Sequence, residues 1–350
     1  MKAKRKIRVL IVDDSMLFRE TLARALGSDP HLEVIGTAVD SVDAMGKIVS
    51  LHPDVVTLDV EMPKVNGIDF LKKLMPQHPL PVVVVSSLPI NALDALEAGA
   101  VDFVKKPQVE SPSDLNAFLG ELAIKIKIAS AARLGPKRLE SLRPLAPAPA
   151  LAAGVRELDR VIAIGASTGG TEAILTVLQQ LPENSPGIVV VQHMPAGFTK
   201  MYAQRLDKIC AMRVVEAEHN MRLERGRVII AAGGFHLRLA RDTQGYYVKS
   251  QTGDKVSGHC PSVDALFDSV ADVAGDKAIG VILTGMGADG SKGLLNMRQK
   301  GAFTIGQDKE SCVVYGMPMV AFNIGAVAKQ LPLDAISSRI ICHLNNSCGK

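Results

Sequence analysis

Residues 7–26, IRVLIVDDSMLFRETLARAL, decide the fold. Residues 7–12 form an apolar run of strand length, Asp13-Asp14-Ser15 interrupts it, and Leu17, Phe18, Leu22, Ala25 and Leu26 then recur at three- and four-residue spacing. That period places one apolar stripe on a helix, which must lie against a sheet. Working outward, the same unit repeats. Strands are expected at 7–12, 33–38, 54–58, 81–86 and 100–105, with helices at 15–26, 41–51, 67–75, 90–98 and 113–128. Strand–helix units of this length predict a parallel sheet, because each crossover has to return over a face of the sheet.

After these units comes RLESLRPLAPAPALAAG, residues 138–154, whose Pro144, Pro147 and Pro149 among small residues fit an extended linker. A second α/β pattern starts at Arg160, with strands expected at 161–165, 188–192, 213–216, 227–232 and 278–284 and helices at 170–180, 197–209, 262–273 and 290–300. Residues 236–240 and 246–250, joined through Asp242 and Gly245, predict a hairpin. The expected division is a first domain over 5–125, a linker over 126–157 and a second domain over 158–348. The expected class is α/β, with two doubly wound, mainly parallel-sheet domains.

Composition agrees. Of 350 residues, 47% are apolar and 22% charged, which is a core-forming balance and excludes general disorder. A net charge of +4, part of it in Lys2, Lys4, Arg5, Lys6 and Arg8, predicts no nucleic-acid partner. No dense basic stripe or helix-turn-helix pattern stands in the second half. No apolar run approaches the ~20 residues of a membrane span, and the basic start turns acidic too soon for a signal peptide, so no membrane insertion is expected. The five cysteines, Cys210, Cys260, Cys312, Cys342 and Cys348, lack a C-x-x-C pair and are expected as reduced thiols of a cytoplasmic protein.

Ligands of open α/β sheets gather at the carboxyl ends of the strands. That rule collects Asp13 and Asp14 after the first strand, Asp59 after the third, Ser86 at the end of the fourth and Lys106 after the fifth. Singly, each Asp could be a helix cap or turn residue, and Asp13-Asp14 could cap the helix from Ser15. Together, three carboxylates need a cation, with oxygen ligands favouring Mg²⁺ or Mn²⁺. A lysine and a hydroxyl opposite them could hold phosphate oxygens once Asp59 accepts a phosphoryl group. With VDDS, LDVEMP, VVSS and KKP in order over roughly residues 5–125, this half resembles the response-regulator receiver domain, a five-stranded flavodoxin-like fold. The resemblance implies Asp59 as phosphoacceptor, and Mg²⁺ held by Asp13, Asp14, Asp59 and the Glu61 backbone carbonyl. It also implies Ser86, Phe103 and Lys106 in the phosphoryl switch.

In the second half, Gly165-Ala166-Ser167-Thr168-Gly169-Gly170 fits G-x-S-x-G between a strand and a helix. Alone it is weak: such turns also cradle phosphates, and a turn without chemistry is commoner than either. A serine nucleophile needs a base and a group to orient it. His193 directly follows the strand 188–192, and Asp289 lies just beyond the strand 278–284, so all three project from carboxyl ends of strands. A structural role for His193, or a cap by Asp289 on the helix from Gly290, is the plain alternative. Among the other histidines, His31, His52, His78, His219, His236 and His259 are weaker candidates. A metal site from His259, Cys260 and Cys312 has no recognised ligand spacing. The order Ser…His…Asp differs from those of chymotrypsin, subtilisin and the α/β-hydrolases. Glycines flank Met286, whose amide would approach a developing oxyanion.

IGASTGGTEA, VVVQHMPAGFT, PSVDALF and ILTGMGADG, in this order over residues 160–300 behind a receiver, resemble the chemotaxis protein-glutamate methylesterases. The resemblance implies a Rossmann-like three-layer α/β/α hydrolase domain with a β-hairpin. Its catalytic set would be Ser167 as nucleophile, His193 as base, Asp289 as orienting carboxylate and Met286 as oxyanion amide. It further implies removal of glutamate methyl esters and deamidation of glutamine on methyl-accepting chemotaxis receptors, a histidine kinase as phosphodonor, and no cofactor in the esterase domain. Two positions depart from the pattern. Ala231-Ala232-Gly233-Gly234 stands where many relatives have Ala-Pro-Gly, and Cys260 stands where an arginine is often expected. The competing reading is a signalling scaffold whose second domain binds a partner without turnover.

Overall fold

In the computed structural model, residues 5–62, 66–107, 112–134 and 160–345 are described. They fall into two compact units divided after Leu134. Most of the expected linker, its prolines included, lies outside the described residues.

The first unit alternates β1 (Ile7–Val12), α1 (Met16–Gly27), β2 (Leu32–Ala38), α2 (Ser41–Leu51), β3 (Val55–Asp59), α3 (Gly67–Gln77), β4 (Val82–Ser86), α4 (Pro89–Glu97), β5 (Asp102–Lys105) and α5 (Pro112–Ala129). Its five-stranded sheet runs β2-β1-β3-β4-β5 with every pair parallel. The central strands read as unbroken apolar runs because helices cover both faces: Val9–Val12 and Val82–Val85 are all buried. Helix α1 starts where Ser15 accepts from the Phe18 amide, so the cap is Ser15 and not the two aspartates. Helix α5 continues to Ala129, and Ile126 and Ala129 are fully buried. Those residues therefore pack with the first unit, and the linker expected from 126 starts later.

The second unit contains β6 (Val161–Ala166), α6 (Gly170–Leu178), β7 (Gly187–Gln192), α7 (Phe198–Ile209), β8 (Arg213–Glu216), β9 (Met221–Arg222), β10 (Arg227–Ile230), β11 (His236–Asp242), β12 (Gly245–Gln251), α8 (Val263–Ala274), β13 (Ala278–Ile282), α9 (Ser291–Gln299), β14 (Phe303–Gln307), α10 (Met317–Asn323), β15 (Lys329–Leu331) and α11 (Leu333–Leu344). Its parallel seven-stranded sheet has the order β15-β14-β13-β6-β7-β10-β8. The hairpin β11–β12 joins β9 in a separate antiparallel sheet, whose Leu237, Leu239 and Val248 are buried in one core with Phe267 and Val270 of α8. Strand β14, the edge strand β15 and helices α10 and α11 extend the sequence expectation. Among the described residues Cys210, Cys260 and Cys312 are unbridged thiols, whereas Cys342 is disulfide-bonded, which corrects the expectation of reduced thiols throughout. No described helix is long and apolar enough to cross a membrane.

The strand order fixes where a ligand can sit. From β6 the chain adds β7 on one side and later places β13 on the other. The carboxyl ends of these three neighbours flank the point where the order reverses, which is where open α/β sheets form their crevice.

Candidate active site

Ser167 follows β6 and is held by backbone. Its amide donates to the Thr284 carbonyl at 3.0 Å, and its carbonyl accepts from the Gly170 amide at 2.7 Å and from Gln192 Nε2 at 2.9 Å. Gly169 takes φ +75°, and a Cβ there would press on Val313. A Cβ on Gly285 would lie 2.6 Å from the Ser167 Cβ. Glycine is thus needed at both places, one for conformation and one for close approach.

His193 directly follows β7, and its amide donates to the Ala166 carbonyl at 3.2 Å, which puts His193 and Ser167 side by side in the sheet register. Its Nε2 lies 2.8 Å from Asp289 Oδ2. Asp289 sits beyond β13 and is 2% exposed. It does not cap α9, whose N-cap Gly290 has no side-chain bond. Instead it meets the N-terminus of α8: Oδ1 accepts from Ser262 Oγ at 2.8 Å and the Asp264 amide at 2.9 Å, and Oδ2 also accepts from the Val263 amide at 2.8 Å. Burial pushes this carboxyl up, but the His193 bond, the amides and the nearby imidazole outweigh it and hold the carboxyl below its ordinary value. An ionised Asp289 only accepts, so Nε2 carries the proton and Nδ1 keeps the lone pair. Nδ1 is buried and has no hydrogen-bond partner, the Ser167 hydroxyl included. Catalytic hydrogen bonds of this kind commonly tighten only with substrate bound.

Met286 stands in the loop after β13, 49% exposed, and its amide makes no hydrogen bond among the described residues. Gly285, before it, is pinned: its carbonyl accepts from the Gly316 and Met317 amides at 3.1 and 2.8 Å.

Three contributors were not visible as such in the sequence. Ser262 was legible as a helix start, which it is, but not as a partner of Asp289. Gln192 donates one amide to the carbonyls of both Ser167 and His193, at 2.9 and 3.3 Å. The His259 ring stacks on that of His193, with centroids 3.7 Å apart and planes 8° apart. The described residues form no metal cluster from His259, Cys260 and Cys312; the one cluster found is Asp13, Asp14 and Asp59.

In the first unit, ligand oxygens of those three aspartates lie within 4.8 Å of one another. Lys106 Nζ is 2.5 Å from Asp59 Oδ2 and 3.2 Å from Asp13 Oδ2. Burial raises Asp13 to about 6, Lys106 opposes that, and the Asp59 charge adds to it. A crowded, oxygen-only set with a carboxyl so destabilised fits a hard divalent cation. Phe103 is 3% exposed on β5, its ring under the Lys125 ammonium at 5.1 Å. Ser86 is brought to the same end of the sheet, but its hydroxyl donates to the Glu61 carboxylate at 2.8 Å, and that oxygen also accepts from the Ser87 and Leu88 amides. The Glu61 side chain was not anticipated in contact with Ser86.

Fold and sites together define a response regulator: a receiver followed by an α/β output domain with a serine, histidine and aspartate gathered at one crevice. The family description "Response regulator receiver domain" matches residues 9–118 and "CheB methylesterase" matches residues 162–340. The chain belongs to the CheB methylesterase family. It is 54% identical over 343 residues to the protein-glutamate methylesterase/protein-glutamine glutaminase 2 of Syntrophomonas wolfei, covering 97% of this chain and 98% of that one. It is 50% identical to the protein-glutamate methylesterase/protein-glutamine glutaminase of Syntrophotalea carbinolica, covering 96% and 97%. The crystal structure of the Thermotoga maritima CheB methylesterase catalytic domain superposes with a TM-score of 0.51 at 41% identity, covering 52% of this chain and 97% of that one.

Proposed function

We propose that this chain hydrolyses glutamate γ-methyl esters, and deamidates glutamine, on methyl-accepting chemotaxis receptors in the cytoplasm, under control of receiver phosphorylation. The observation that carries the proposal is the His193–Asp289 pair: a buried carboxylate takes four donors, one of them Nε2, and leaves Nδ1 unpaired on a residue whose own amide bonds the Ala166 carbonyl, next to Ser167. A binding module has no need for such an arrangement, which disfavours the scaffold reading.

In this reading Nδ1 of His193 takes the Ser167 proton as Oγ bonds to the ester carbonyl carbon. The Met286 amide donates to the resulting oxyanion, a role whose loss typically costs about 3 kcal/mol. The imidazolium passes its proton to the departing methoxy oxygen, methanol leaves, and a glutamyl-Ser167 ester remains. Water, deprotonated by Nδ1, then releases the glutamate carboxylate and restores the serine. With glutamine the same sequence releases ammonia. Asp289 holds the imidazole and stabilises its cation throughout.

In the receiver, Asp59 is the phosphoacceptor for a histidine kinase. Asp13, Asp14, Asp59 and the Glu61 carbonyl would hold Mg²⁺, which supplies neutralisation of phosphoryl charge. Lys106 is placed to meet a phosphoryl oxygen, Ser86 would leave Glu61 to do the same, and Phe103 reports the change. The domain division of 5–125, 126–157 and 158–348 is retained in outline, with α5 kept whole in the receiver. The test is methanol release from methylated receptors by the full chain, with and without a small phosphodonor. Acceleration by the phosphodonor is expected, with its loss in Asp59→Asn and loss of all turnover in Ser167→Ala; turnover by Ser167→Ala at the wild-type rate would refute the assignment.

A further inference from the structure

The orientation of the base needs more than Asp289. One hydrogen bond at Nε2 fixes a point on the imidazole and leaves its plane free to swivel about that point. The plane is held from its face: the His259 ring lies parallel to the His193 ring, 3.7 Å between centroids and 8° between planes. His259 is itself anchored by short local structure, since the Val256 and His259 backbones exchange hydrogen bonds at 3.1 and 3.0 Å in a tight loop between β12 and α8. That loop ends at Ser262, which donates to Asp289. One segment therefore carries both the group that stacks on the base and a group that holds its carboxylate.

We infer that His259 is a positioning residue of the esterase reaction: its stacked ring fixes the imidazole plane of His193 so that Nδ1, and not another edge, addresses the nucleophile. This rests on the reading of His193 as the base. The groups around the stack suit the role. Burial depresses His259 to about 4, the neighbouring His193 and Lys255 push the same way, and Asp289 opposes them. His259 is consequently neutral across the working range, and a neutral ring accepts an imidazolium against its π-face where a second cation would repel it. It does not touch substrate in this reading; it acts through His193.

The full-length protein is compared as wild type, His259→Ala, His259→Phe and Ser167→Ala, with circular dichroism and melting curves confirming folding. Methanol release from methylated receptor gives kcat and KM across pH 5.5–8.5. Loss of the ring in His259→Ala is expected to lower kcat about tenfold with KM within about twofold, and His259→Phe, which restores a flat ring, is expected to recover most of it. Side-chain ¹H–¹⁵N correlation spectra supply a readout that needs no turnover. His193 should be the Nε2–H tautomer in every variant, with one sharp set of ring signals in wild type and His259→Phe and an exchange-broadened or doubled set in His259→Ala. If His259→Ala keeps both the wild-type kcat and the single sharp set, or if His259→Phe is as impaired as His259→Ala, the positioning role is wrong. If wild type releases no methanol while the ring signals change as expected, the esterase reading fails and the positioning of His193 stands.

Discussion

Replacing Asp289 by Asn isolates the carboxylate proposed to orient His193 with almost no change in shape. Each carboxylate oxygen now serves two donors: Oδ1 takes Ser262 Oγ and the Asp264 amide, Oδ2 takes His193 Nε2 and the Val263 amide. An amide side chain offers one accepting oxygen, so its NH₂ must face one of these pairs. Facing His193, it forces Nε2 to accept, moves the ring proton to Nδ1 and removes the basic lone pair; a wrong tautomer of this kind costs roughly 10⁴-fold in kcat. Facing Ser262, it leaves the tautomer intact but replaces a charge-assisted bond worth about 1.5–3 kcal/mol by a neutral one worth about 0.5–1.5 kcal/mol, a loss of roughly 10-fold. Either way one buried backbone N–H, of Val263 or Asp264, loses its acceptor, which costs about 1–3 kcal/mol of stability. Asp289→Asn should therefore release methanol at least ~10-fold and up to ~10⁴-fold more slowly than wild type, measured as kcat on methylated receptor, with a lowered melting temperature. A kcat within about threefold of wild type would refute the reasoning.

Two further outcomes follow from separate parts of the molecule. Gly285→Ala places a Cβ 2.6 Å from the Ser167 Cβ, so kcat should fall about 10- to 100-fold, with about 1–3 kcal/mol lost in urea unfolding from overpacking. Equal activity would show that the nucleophile tolerates displacement. In the receiver, cation binding competes with protonation of Asp13, whose carboxyl stands at about 6, so Mg²⁺ affinity measured calorimetrically should fall as pH is lowered through about 6. An affinity that stays constant from pH 7 to 5 would contradict the assigned ligand set.

Much of this was legible because the main sheet of each unit is parallel, with central strands buried on both faces. Apolar runs such as Val82–Ser86 and Gly187–Gln192 are strands buried on both faces, and polar residues just past them mark the crevice. That Ser167, His193 and Asp289 lie at one end of the sheet was legible from their places after β6, β7 and β13, while their roles are implied by the family resemblance. Edge strand β15, three residues long and partly exposed, carries no period to find. The contacts that orient the site were also hidden, for a different reason. Whether Asp289 caps the helix beginning two residues later or the N-terminus of α8 depends on how two loops fold over the sheet, and local spacing favoured the wrong helix. The same holds for His259, placed by a loop, and for Glu61, whose carboxylate turns to Ser86.

The helix that Asp289 does cap explains how a carboxylate can remain charged there, and it makes a sign prediction. Left alone, burial would neutralise the group and destroy its ability to hold an imidazolium. The imidazole of His193 and two N-terminal amides of α8 reverse that tendency, so the folded protein binds this proton more weakly than the unfolded chain. For a depressed carboxyl the linked stabilisation is present in full above the unfolded value, near 3.9, and is lost as pH falls through the folded value. The stability difference between wild type and Asp289→Asn, taken from the urea transition of the second unit, should accordingly be largest at neutral pH and shrink below about pH 4. A difference that stays constant from pH 7 to 3 would mean that Asp289 is not held ionised by its partners, and the argument that it stabilises the His193 cation would fail with it.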